Sequence, residues 1–248
     1  MKNFLVAIYS VYDGEELLPY SVKQIRPHVD AVVCTYQTTS NRGEHYEPVF
    51  KMSLFDAVMQ YKPRATWPAS ENEKEKRNVA LQEAKKLFPK MTHFIFLDCD
   101  ELYIPEEFAK AKVEVYELGV DASFCNIETY YSKPTLRLFP PETYFVPFIC
   151  KYSNTSYLGH NRELWKRGII SDPTRTPVQV KNYRLLQNRM YHFSFVRKDI
   201  SRKFRNSSSD KYAQNWRQLT EDFNNGKLVH FKGHELQECK NLFNIVIP

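Results

Sequence analysis

His93-Phe94-Ile95-Phe96-Leu97-Asp98-Cys99-Asp100-Glu101 is an apolar run of strand type that ends in three carboxylates. A short, wholly apolar run bounded by polar residues reads as a strand buried on both faces. Two aspartates one residue apart, just past its end, can grip one divalent cation and the diphosphate it carries. Magnesium and manganese take oxygen ligands and bridge carboxylates to phosphate oxygens. Directly upstream, Ser70-Glu71-Asn72-Glu73 has the form of a capping box, with Ser70 as N-cap. The helix it opens places Ala80, Leu81, Ala84, Leu87 and Phe88 on one stripe, and Pro89 ends it.

Further toward the N-terminus the same alternation repeats. Residues 4–9 read as a buried first strand, and Pro19 opens a short helix whose face carries Val22 and Ile25. Residues 31–36 are a second strand rich in β-formers, and 37–47 a polar loop. Pro48 is expected to open another helix, with Leu54, Phe55, Val58 and Met59 inward. Strand, helix, strand, helix, strand predicts an α/β fold with a mostly parallel sheet flanked by helices. Ligands of such sheets bind outside the carboxyl ends of the strands, where strand order reverses. Asp98 and Asp100 occupy such an end.

The second half is aromatic and basic. Residues 122–131, 144–150 and 190–196 are strand-like, and 199–225 helical with a polar break at 206–210. No linker divides the chain. The expectation is one continuous domain, with residues 1–105 as a nucleotide-binding half and 106–248 as an acceptor-binding half.

Composition narrows the class. At 248 residues with 42% hydrophobic content, the chain can bury a full core. The longest apolar run, from Phe4 to Tyr12, is too short to cross a bilayer, and the first residues lack the form of a cleavable leader. This reads as a soluble, cytoplasmic protein without a transmembrane segment. Five cysteines without a CxxC pair read as reduced thiols. Residues 184–217 hold nine Lys/Arg against two Asp, so this segment exceeds the net +6 of the whole chain. An anionic ligand beside it would account for the bias. No GxGxxG, Walker A, HExxH or GxSxG sequence is present. A phosphatase whose nucleophile lies in a similar acidic segment would prefer Thr or Val where this chain has Leu102, and would need a later acidic pair that is missing.

Asn78, Ala80 and Ala84 on the helix, followed by Phe94 to Glu101, resemble the core of GT-A fold glycosyltransferases of the family-two type. In that family an Arg-Asn pair precedes the acidic motif by about twenty residues; here it is Arg77-Asn78. The likeness covers roughly residues 3–105. It implies a GT-A-like, Rossmann-type sheet and transfer of a hexose or pentose from a nucleotide-sugar, a UDP-sugar first among them, with Mn2+ or Mg2+. Many members carry an Asp at the end of the second strand to read uracil. This chain has Tyr36-Gln37, which leaves the base open.

The resemblance also assigns candidate residues. Asp98 and Asp100 would hold the metal, completed by His192, which begins the basic segment on a strand. Arg197 and Lys203 would hold the diphosphate, whose charge grows as it leaves. Ser10, Tyr12 and Asp13 after the first strand, with Arg77 and Asn78, would position the nucleotide. Inverting transfer needs a carboxylate near the acceptor hydroxyl, for which Glu163 and Asp172 are the first choices and Glu128 the third. The acceptor is a glycan or a hydroxylated DNA base, as for phage base-modifying transferases; a base would have to be flipped out. The alternative is a non-catalytic nucleic-acid-binding protein using residues 184–217. His230 and His234 have helical spacing, but Gly233 disfavours a rigid helix and a ligand pair.

Overall fold

The computed structural model describes residues 2–229 and 231–247. In chain order the elements are β1 (Leu5–Val11), α1 (Leu18–Ile25), β2 (Ala31–Tyr36), β3 (Ala57–Gln60), α2 (Ala69–Leu87), β4 (His93–Asp98), β5 (Glu101–Leu102) and α3 (Pro105–Leu118). They continue as β6 (Ala122–Tyr131), β7 (Leu136–Phe139), β8 (Phe145–Lys151), α4 (Arg162–Lys166), β9 (Tyr183–Phe195), α5 (Ile200–Arg205), α6 (Asp210–Gln214), α7 (Trp216–Asn224) and β10 (Glu235–Glu238). Among the described residues, ten strands form one sheet. Its path is β10-β7-β6-β8-β4-β1-β2-β3, with β9 pairing β5 and β6 off that path.

The chain folds as the alternation predicts, an α/β sheet with its central strands parallel and helices against it. β3, β2, β1 and β4 pair in parallel. Both faces of β1 are covered, which explains why all seven of its residues are apolar or small and buried. Leu5, Ala7, Tyr9 and Val11 face the cluster built with α1 and α3. Val6 and Ile8 face the opposite cluster, which takes Ala80, Leu81 and Ala84 from α2. Pro19 sits in the first turn of α1, as expected. α3 opens with Pro105 and two glutamates against the helix dipole, and closes on Gly119 at φ +61°.

Antiparallel pairing with β8 extends the sheet past β4 and carries residues beyond 105 onto it. β6 and β9 run parallel to one another. Their aromatic side chains form two further clusters. Tyr130 stacks on Phe193 with ring centres 4.2 Å apart. Tyr131 and Phe195 pack on α5 and α7.

Two local expectations are corrected. Residues 48–59 form no α-helix: a 3-10 turn at Met52–Leu54 leads into β3, where the β-branched Val58 pairs with Cys34. Ser70 does not cap α2. Pro68 stands at the cap without a side-chain bond, its φ of −55° already helix-compatible, and Ser70 falls inside the first turn.

Candidate active site

The carboxyl ends of β1, β2 and β4 share one rim. Ser10 is level with Asp98, and Tyr36 with Val11, so the turn after β1, Gln37 and the acidic motif lie together. Past Asp98 the chain turns and pairs again. Glu101 of β5 lies opposite His192 of β9, and the Phe193 amide donates to the Asp100 carbonyl at 2.7 Å. This pairing brings His192 to Asp100.

A cleft of about 430 Å³ opens on this rim, a size suited to a small organic ligand. Ser10, Tyr12, Asp13, Asp98, Asp100, Asp172, Arg197 and Lys203 all line it, so most of the expected site residues converge. Residues 206–209 close one side.

The cleft is a lattice of ion pairs. Arg77, projecting from α2 with 1% of its side chain exposed, reaches Glu73 and Asp98 at 2.9 Å and Asp172 at 3.1 Å. Arg175 bonds both oxygens of Glu101, at 2.7 and 2.8 Å. Arg197 spans Asp13, at 2.6 Å, and Asp100. Gly14 makes room for it. Its φ is +79°, and a Cβ there would run into the Arg197 guanidinium. Burial opposes the Asp100 charge, yet Arg197, Lys203 and His192 hold its carboxyl well below the usual carboxylate range. Asp98 and Asp172 are likewise lowered against burial, chiefly by Arg77 and then Arg175.

One oxygen stands out of this pairing. Asp100 Oδ1 is buried without a hydrogen-bond partner. His192 Nε2 faces it at 3.7 Å. Burial pulls His192 down to about 4, so the ring is neutral at pH 7 and its nitrogen can ligate. A carboxylate oxygen and a neutral imidazole fit Mn2+ better than Mg2+, which prefers oxygen ligands; either would keep remaining positions for water and substrate phosphates. Asp98 instead gives both oxygens to Arg77. Among the described residues no three His, Cys, Asp or Glu side chains are grouped to hold a metal.

Two expected residues fall elsewhere. Asn78 spends its amide on the Leu158 backbone, at 2.8 and 3.2 Å, and pins the loop before α4 rather than touching the cleft. Glu163 lies on the exposed face of α4, paired with Lys166, and is not among the cleft residues. Asp172 lines the cleft, but its oxygens are taken by Arg77 and by the Thr174 amide and hydroxyl. Glu128 is tied to Arg137 and Arg189, each at 2.7 Å. His234 bonds the Pro140 carbonyl through Nδ1 at 2.6 Å, and His230 lies outside the described residues.

Other residues were not foreseen. Lys76 is buried in the cleft wall beside Arg77. The apolar stripe of α2 fades toward its N-terminus, where Asn72, Lys76 and Arg77 are nevertheless buried; that fading was the available signal. Arg175 carries no local pattern.

Five of the nine Lys and Arg residues of the basic segment pair with an acid of the chain within 3.5 Å. Arg184 pairs with Glu114, Arg189 with Glu128, Arg197 with Asp13 and Asp100, Arg202 with Asp199 and Arg205 with Glu44. Arg217 lies over the Trp216 ring. All five cysteines are free thiols. No helix among the described residues is long and apolar enough to cross a membrane.

No protein-family model matches the chain, and no curated protein does. Solved structures do. TarS of S. aureus aligns at 15% identity and a TM-score of 0.46, over 93% of this chain and 44% of that one. The chain thus spans less than half of that protein. S. aureus TarS 1-349 in complex with UDP-GlcNAc aligns at 12% identity and a TM-score of 0.42, over 90% and 72% of the two chains. A glycosyltransferase involved in glycosylation of the major capsid of PBCV-1 aligns at 13% identity and 0.30, over 53% and 52%.

Proposed function

We propose that this chain is a GT-A-like glycosyltransferase that moves a sugar from a nucleotide-sugar donor to a hydroxyl acceptor, with inversion and with Mn2+ or Mg2+. The observation that carries the reading is the unpartnered Asp100 Oδ1 facing neutral His192 at the end of a central parallel strand. Asp100 and His192 would hold the cation; when bound, it neutralises charge on the departing diphosphate. Lys203, 4.0 Å from Asp100, offers an ammonium to phosphate oxygens, and Arg197, bound to Asp13 and Asp100, adds fixed positive charge beside them. Arg77 keeps Asp98 and Asp172 ionised and in place. Gln37, at the end of β2, is buried in the cleft wall with Oε1 lacking a partner, a group able to read a base edge. Tyr12, set edge-on against Tyr46, can flank the nucleoside.

The ion pairing of residues 184–217 argues against a non-catalytic nucleic-acid-binding protein, which needs free cations for phosphates. For the same reason a glycan is favoured over a hydroxylated DNA base as acceptor. Thermal unfolding with UDP, GDP, dTDP and their sugars, with and without MnCl2, tests the reading. Stabilisation by one nucleotide only with metal is expected. No shift with any nucleotide would overturn it.

A further inference from the structure

The mechanism above lacks a base, since Asp172 is locked by Arg77 and Thr174, and Glu163 is outside the cleft. Behind Tyr144 the cleft continues into a second chamber of about 200 Å³; Tyr144, Lys203 and Ser207 line both. That volume has room for about one sugar ring, and Glu142, Tyr144, Tyr212 and Phe231 also line an adjoining open groove of about 920 Å³. Its walls are aromatic, with Tyr144, Phe195, Tyr212 and Phe231, and its one carboxylate is Glu142. Aromatic faces with a single acidic group suit the apolar face and hydroxyls of one sugar unit.

Glu142 is placed by the sheet. It sits on the turn before β8, and the Thr129 hydroxyl of β6 donates to its Oε2. Thr129 lies directly across from His192 in the β6–β9 pairing. One strand register therefore sets Thr129, the hydrogen-bond partner of Glu142, next to His192. Among the described residues no Lys or Arg pairs with Glu142 within 4 Å, in contrast to the acids of the cleft. Burial raises its pKa, with Thr129 and His234 opposing. The other charged or titratable groups around it are His192, Lys203 and Tyr212 within the chamber, and Lys211 and Lys232 outside it.

The geometry points to Glu142 as the general base of an acceptor-sugar subsite formed by this second chamber, an inference that rests on the glycosyl-transfer reading. Glu142 takes the proton of the acceptor hydroxyl as that oxygen bonds to the anomeric carbon. The bond from that carbon to the diphosphate oxygen breaks, and its electron pair leaves with the nucleoside diphosphate. Glu142 then returns its proton to solvent.

The test uses the full chain with MnCl2 and UDP-glucose, UDP-N-acetylglucosamine, GDP-mannose and dTDP-glucose. Calorimetry measures donor binding, and release of nucleoside diphosphate to water measures the chemical step. Glu142→Gln is expected to bind donor within about twofold of wild type and to hydrolyse it about 100-fold more slowly. The ascending limb of the pH–rate profile should vanish in Glu142→Gln. In Thr129→Val it should move to higher pH, because the hydroxyl bond that favours the carboxylate is gone. Glu142→Asp should retain the limb, which separates a base from a structural prop. Wild-type hydrolysis by Glu142→Gln, or a lowered rate with the limb intact, overturns the assignment while leaving donor binding standing. Failure of wild type to bind any of the four donors overturns both readings.

Discussion

The cleft and the chamber behind it use the same residue type in opposite ways. At the end of β4, each acid has an arginine against it: Asp98 and Asp172 share Arg77, Glu101 has Arg175, and Asp13 and Asp100 share Arg197. Nothing in the local sequence distinguishes these from Glu142, which has a threonine hydroxyl and aromatic walls instead. Asp98, Asp100 and Asp172, lowered by their arginines, keep their charge and serve as fixed poles, whereas burial raises Glu101 to about 7 despite Arg175. An acid that is only half-buried and lacks a cation can gain and lose a proton. Environment assigns the roles, as it does wherever two carboxylates share one site.

Breaking the pairing should have the largest effect. Arg77→Ala would leave Glu73, Asp98 and Asp172, all partly buried, without the guanidinium they share, with only Arg175 and Lys76 still nearby. We expect a loss of about 3–5 kcal/mol in urea denaturation, and Arg77→Lys should recover only part of it, since an ammonium cannot fork to three acids. A Gly14→Ala change attacks the second pole. The left-handed backbone at φ +79° strains any alanine by about 1–2 kcal/mol, and the Cβ displaces Arg197 from Asp13 and Asp100. A total cost of about 2–3 kcal/mol is expected, together with weakened nucleotide binding, read by denaturation and calorimetry.

His93 sharpens the contrast, because burial acts there without an acid. It lies at the opposite end of β4, on the Tyr116 ring, and burial, helped by Lys151, lowers it to about 4. Its unfolded pKa is near 6.5. Below that pH the unfolded chain binds the extra proton first, so stability is full above about 6.5 and is lost as pH falls toward 4. His93→Gln should flatten this slope by on the order of 2 kcal/mol over that window, measured by urea midpoints at stepped pH. The smallest effect belongs to Glu163. Exposed and paired only with Lys166, it should leave the urea midpoint and the turnover unaltered on replacement by Ala.

The parallel half was legible because each of its strands is sandwiched, so β1, β2 and β4 appear as unbroken apolar runs. The edge strand β3 was not. It is four residues long and only partly buried, and its apolar residues fit a helical spacing as well as a strand. Ser70 had the right spacing for a cap, but the Pro68 carbonyl already accepts the first helical bonds, from Glu71 and Asn72. Asp98, Asp100, Arg197 and Lys203 were legible from their place after a strand or within a charged run. Arg175 and Glu142 were not, for they reach their places through loops pinned by distant partners, Glu101 and Thr129. No periodicity along the chain records such a contact.

The central claim is that Asp100 serves a cation that in turn holds a nucleoside diphosphate. Calorimetric titration of UDP into wild type and Asp100→Asn, each with MnCl2 and with EDTA, tests it most directly. Because asparagine cannot supply the anionic oxygen, wild type should bind UDP only with manganese, and the variant should bind at least about 100-fold more weakly while melting as a folded protein. Equal binding in EDTA, or unchanged binding by the variant, would contradict the account.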